Sequence, residues 1–102
     1  MLKTLESYEL IQEQVAGELY AYYPLGEYVV LAPGICGGRP TFKYTRLETS
    51  VVLADIAAGY SIDEILQDFE LSDLPRAAIL EAIDLANQAF LQTTQNLLPL
   101  AV

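Results

Sequence analysis

At 102 residues the chain has room for one domain with one modest core, which excludes large multi-layer architectures. Fourteen acidic against five basic side chains give a net charge of −9, which disfavours broad contact with phosphate or an anionic membrane. A hydrophobic content of 53% and a mean hydropathy of +0.30 are high for a small water-soluble protein and point to self-association, with a homodimer expected.

Residues 4–23 are predicted to form an amphipathic helix with Thr4 as its N-cap. Leu5, Tyr8, Ile11, Val15, Leu19 and Tyr22 recur at spacings of three and four and share one face, with Glu6, Glu9 and Glu13 opposite. Pro24 ends that helix, because the residue before proline is pushed out of helical geometry. Residues 1–26 thus read as an N-terminal helical unit.

Glu27 to Leu31 is β-branched and aromatic, and Pro40 to Arg46 alternates. Joined by the glycine-rich stretch Pro33–Arg39, they predict a hairpin in which Phe42 and Tyr44 share one side while Lys43 takes the other. Arg39 and Arg46 are expected to tie this hairpin to acidic helices through bidentate guanidinium contacts.

Three helices follow. Thr49 or Ser50 starts the first, which runs to Ala58, with Gly59 placed as a left-handed C′ residue. Ser61 and Glu64 form a capping box for a short second helix. Ser72 caps the third, with Pro75 in its first turn, and the helix continues to about Phe90 or Leu91. On a helical wheel Ala78, Ile79, Ala82, Ile83, Leu85, Ala86, Ala89 and Phe90 make one wide apolar stripe. Leu80 and Leu91 fall outside it, along a single line, and are the candidate interface. The predicted fold is mainly α: an N-terminal helix, a short β-hairpin, then a three-helix bundle with a helix-turn-helix. Residues 27–92 form the central domain and 93–102 a loose tail.

The chemistry on offer is sparse. Without histidine the chain cannot build Ser-His-Asp or Cys-His nucleophile systems or imidazole metal sites. Cys36, the one cysteine, stands near Arg39 but has neither a base nor a resolving thiol. Asp63, Glu64 and Asp68 sit where a capping box and a solvated helix face need them. The glycine-rich stretch lacks the Gly-Lys-Ser/Thr of a phosphate-binding loop. No catalytic, cofactor or metal site is assigned. The helix-turn-helix raises DNA binding as the alternative function, with Arg76 as the candidate contact. Asp63, Glu64, Asp68, Glu70 and Asp73 crowd around it, so the isolated protein is not expected to bind nucleic acid. No secretory pattern opens the chain and no apolar run is long enough to span a bilayer, so a cytoplasmic protein is expected.

The run Pro33-Gly34-Ile35-Cys36-Gly37-Gly38-Arg39-Pro40-Thr41, then Thr45-Arg46, then Ala57-Ala58-Gly59-Tyr60-Ser61-Ile62-Asp63-Glu64, resembles the domain-of-unknown-function family 433 over about residues 29–90. Gly37, Gly38, Arg39, Pro40, Thr45 and Arg46 are the family-like positions of the loop and hairpin. The resemblance implies a β-hairpin followed by a homeodomain-like three-helix domain. It also implies an antitoxin-like, non-enzymatic role, since some members resemble VapB-type antitoxins paired with a toxin ribonuclease of PIN-like fold. Tyr44 stands where the family usually has glycine, and Leu47-Glu48 stands where it has Ile-Pro. The N-terminal segment lies outside the resemblance.

Overall fold

Residues 11–24 form a β-hairpin, where the sequence predicts a helix over 4–23. The computed structural model describes residues 8–69 and 73–95; Thr4 and Leu5 of the predicted helix, the cap at Ser72 and the tail residues 96–102 lie outside them. Strand β1 (Ile11–Val15) pairs antiparallel with β2 (Glu18–Pro24), from Ile11 opposite Tyr22 to Val15 opposite Glu18. Ala16 (φ 52°) and Gly17 (φ 83°) make the two-residue turn. Positive φ at both centres is the type I′ geometry that matches the twist of paired strands. A helix would have carried Gly17 in its interior at a cost of about 1 kcal/mol. It would also have left Tyr20 and Tyr22 without the sheet surface that now buries them.

Strand β3 (Val29–Leu31) and strand β4 (Pro40–Phe42) complete one four-stranded antiparallel sheet in the order β1-β2-β3-β4. Val29 pairs with Phe42 and Leu31 with Pro40. The molecule is therefore a sheet with helices packed on it, and the mainly α architecture expected from the sequence is wrong on that account. The predicted second strand also stops early. After Phe42 a tight turn closes, with the Thr45 amide donating to the Phe42 carbonyl at 3.0 Å and Tyr44 at φ 67°. That turn puts Phe42 and Tyr44 on opposite sides of the sheet, whereas alternation had placed them on the same one.

The three helices stand where the sequence put them. Helix α1 (Thr49–Ala57) is entered from Glu48, and Gly59 beyond its end takes φ 99°. Helix α2 (Ile62–Asp68) opens on the Ser61–Glu64 capping box, both bonds of which are present at 3.1 Å. Helix α3 (Arg76–Gln95) begins just after Pro75 and outruns the predicted end at Leu91. The boundary drawn at 92 therefore falls inside a helix.

Sheet parity explains the two sides of the core. Val29 and Phe42 face the helices and pack with Val52 of α1, Ile65 of α2, and Ala78, Ile79 and Ala82 of α3. Tyr20, Tyr22, Val30 and Ala32 form a second cluster on the opposite face. The last fully buried residue of α3 is Ala82. Beyond it Ile83 and Leu85 pack on the same cluster while partly exposed, and Phe90, placed by the wheel in the core stripe, is 66% exposed. Among the described residues no helix is long and apolar enough to cross a membrane.

Candidate functional site

The motif-bearing loop leaves β3 through Ala32 and returns to β4 by a single 3₁₀ turn at Cys36–Gly38. Its folding is local: the Gly38 amide donates to the Ile35 carbonyl at 2.9 Å, and the Arg39 amide to the Cys36 carbonyl at 3.1 Å. The Cys36 thiol donates weakly to the Arg46 carbonyl at 3.2 Å, which ties the loop to the turn after β4. Arg39 reaches Glu48 at the entrance to α1, with Nε 2.6 Å from Oε1 and Nη2 3.4 Å from Oε2. This contact holds the Glu48 carboxyl below its ordinary pKa and raises that of the guanidinium. Arg39 thus ties the hairpin to the first helix as expected. Arg46 does not: its side chain is exposed and makes no ion pair with a described residue.

Thr45 and Tyr44 share the next turn. The Thr45 hydroxyl donates to the Phe42 carbonyl at 2.7 Å and accepts from the Leu47 amide at 3.0 Å, closing the link between β4 and α1. Tyr44 takes the left-handed conformation that a glycine would adopt freely and that costs another residue roughly 1–2 kcal/mol. Three contacts offset that cost. Its amide donates to the Tyr20 hydroxyl at 3.0 Å, its own hydroxyl donates to Glu13 Oε2 at 2.9 Å, and its ring lies 5.4 Å from that of Tyr20. The Tyr22 hydroxyl donates to the other oxygen of Glu13, and Lys43 Nζ stands 5.6 Å from the Tyr22 and Tyr44 ring centroids. Hydrogen bonds from Tyr22 and Tyr44 hold Glu13 below the usual carboxylate pKa, and the same bonds push both phenols up. The result is a latch between the β1–β2 arm and the motif turn.

A second clasp carries little sequence signal. Glu81 of α3 accepts the amides of Glu27, Tyr28 and Val29 at 2.8–2.9 Å, one oxygen serving the first and the other serving the last two. Gly26 makes room for it. A Cβ at Gly26 would lie 2.5 Å from Glu81 Oε1, inside the carboxylate. No local pattern couples residues more than fifty positions apart, so sequence reasoning missed this contact. A carboxylate on the rim of the core stripe, between Ile79 and Ala82, was the available hint.

On α3 the predicted residues separate. Arg76, the candidate DNA contact, forms an ion pair with Asp63 of α2. Leu80 and Leu91 are 50% and 58% exposed, as an interface on the back of the helix requires. An apolar groove of about 270 Å³ opens between α1, α3 and the sheet edge, with Leu25, Leu53, Leu85, Ala86 and Ala89 among its walls. Groups of three or more His, Cys, Asp or Glu side chains able to hold a metal ion do not occur among the described residues.

A family model described as "Protein of unknown function (DUF433)" matches residues 29–86, more than half of the chain. The chain belongs to the DUF433 family. The matched segment starts at β3 and ends within α3, so it takes in the motif loop, the Thr45 turn and Glu81, while Gly26, Glu27 and Tyr28 of the clasp and the last nine residues of α3 lie outside it. The β1–β2 arm lies outside the DUF433 segment and is held to it by the pairing of β2 with β3 and through Tyr44. No curated protein and no solved structure matches the chain.

Proposed function

We propose that this DUF433 chain is a non-enzymatic, antitoxin-like interaction module of the cytoplasm that acts by binding a protein partner. The observation that carries this reading is the exposed apolar surface of α3, where Leu80, Phe90 and Leu91 are each at least half exposed. A chain without histidine, whose perturbed carboxylates each serve a structural contact, supports association over catalysis. A toxin ribonuclease of PIN-like fold is the partner class favoured by the family resemblance.

The alternative, a helix-turn-helix DNA-binding regulator, loses ground on α3 itself. Its one cationic side chain, Arg76, is already paired with Asp63, and Glu81 and Asp84 are the other charges on that helix. Titration of the purified protein against fluorescent duplexes near physiological salt is expected to show no binding tighter than about 10 μM, within the non-specific range. Tight, sequence-selective, salt-sensitive binding would install the regulator reading instead. The antitoxin reading itself is tested by affinity capture from the native cell, followed by ribonuclease assay of the captured protein. Stoichiometric inhibition by this chain is expected. A captured set with no nuclease that the chain inhibits counts against the toxin-partner reading.

A further inference from the structure

We infer that the groove between α1 and the C-terminal half of α3 is the seat of a second copy of this chain, each copy inserting Phe90 into the groove of the other. The inference rests on the interaction-module reading and names one of its surfaces.

Three observations place the contact. The groove is open and apolar, with room for a phenyl ring, and the small residues Ala86 and Ala89 are part of its lining on α3. Phe90, one helical turn on from the lining residue Ala86, is 66% exposed. From Leu85 to Gln95 the helix carries no charged side chain, in a chain of net charge −9. That last fact selects the occupant. Two copies of a strongly acidic protein repel wherever carboxylates meet, so they approach most easily on the surface that has none. A basic partner would instead be drawn to the acidic α2 end, where Asp63, Glu64 and Asp68 lie.

The geometry closes as a two-fold. Ile83, Ala86, Phe90 and Thr93 follow one another at helical spacing, so two α3 helices packed antiparallel set Phe90 of each opposite Ala86 of the other. A large side chain then meets a small one twice, as isologous contacts require.

Sedimentation equilibrium of the full chain at tens of micromolar, as an order-of-magnitude test range, decides the matter. The wild type is expected to be a dimer. Phe90→Ala and Ala86→Phe are each expected to weaken dimerisation at least about tenfold with unchanged circular dichroism, and the double variant to restore it, because knob and hole have changed places. Leu19→Glu, an exposed change in the β1–β2 turn region, is expected to leave the dimer intact. A chain ending at Gln95 is expected to dimerise as well. A monomeric wild type, a dimer indifferent to both α3 variants, or loss of the dimer on truncation at Gln95 would each overturn the proposal, the last by naming the C-terminal residues as occupant. A monomer that still inhibits a captured nuclease removes the dimer alone, while a dimer with no such partner removes the antitoxin reading alone.

Discussion

The carboxylate of Glu81 occupies the space that a side chain on Gly26 would need. A Cβ there would come within 2.5 Å of Oε1, while the same carboxylate accepts three successive amides of the strand entry. Glu81→Ala is expected to destabilise the fold by on the order of 2–3 kcal/mol, since it strips charge-assisted acceptors from three amides. Gly26→Ala should also destabilise the wild type, by about 1–3 kcal/mol. In the Glu81→Ala background the same Gly26→Ala change should be nearly neutral, because the clashing atoms are gone. Urea unfolding of the four proteins measures the coupling, and additive losses would refute the arrangement.

Glu13 gives the latch a pH dependence whose sign is fixed. Its folded pKa is lowered from 4.5 by Tyr22 and Tyr44, so its contribution is present above 4.5 and is lost as pH falls through the lower folded value. The two phenols are raised above 10.0, so their share is present below pH 10 and fades only as pH rises toward the folded values. The difference in melting temperature between wild type and Glu13→Gln should therefore be constant near neutrality and shrink in acid. A difference that does not change between pH 7 and pH 3, a range of about four units around that carboxylate, would count against the latch.

Thr41 is 0% exposed, and its hydroxyl has no hydrogen-bond partner among the described residues. A buried hydroxyl without a partner costs roughly 1–3 kcal/mol by mutational measures. Thr41→Val keeps the shape and removes the unpaired group, so thermal melts should show a gain of about 1 kcal/mol. A clear loss would mean that the hydroxyl is satisfied in solution.

The turn of the arm is strained at Ala16, which sits at φ 52° without the backbone freedom of its neighbour Gly17. Ala16→Asn creates the Asn-Gly pair preferred by this turn type and should stabilise the protein by roughly 0.5–1 kcal/mol. An unchanged melting temperature would show that the arm is not part of the cooperative unit.

Much of the second half was legible in the sequence. Ser61 with Glu64, Gly59 after Ala58, and the wheel of α3 are local signals, and local signals decide helix ends. The arm misled because Ile11, Val15, Leu19 and Tyr22 fit a helical spacing, while Ile11 with Val15 and Tyr20 with Tyr22 equally fit strand parity. Ala16-Gly17 between them was the discriminating pair. Tyr44 was harder, since its left-handed backbone is offset only by Tyr20 and Glu13, which belong to an element absent from the sequence reading. Arg39 and Thr45 found structural partners near in the chain, at Glu48 and Leu47, as their place in a short hairpin suggests. Leu80 and Leu91 were placed correctly on the exposed face, and Phe90 was not, because a wheel does not show how far along the helix the packing extends.

The β1–β2 arm also bears on solubility. Strand β3 is the apolar run Val29-Val30-Leu31, and its free side would otherwise be a row of unpaired amides and carbonyls. By pairing Tyr23 with Leu31 and Pro24 with Val30, the arm moves the sheet edge outward to Ile11–Val15, where Gln12, Glu13 and Gln14 replace aliphatic side chains. Loosening the arm exposes a sticky strand, so damage to the Tyr44 contact should lead toward aggregation or exchanged strands between molecules before it leads to loss of the helices.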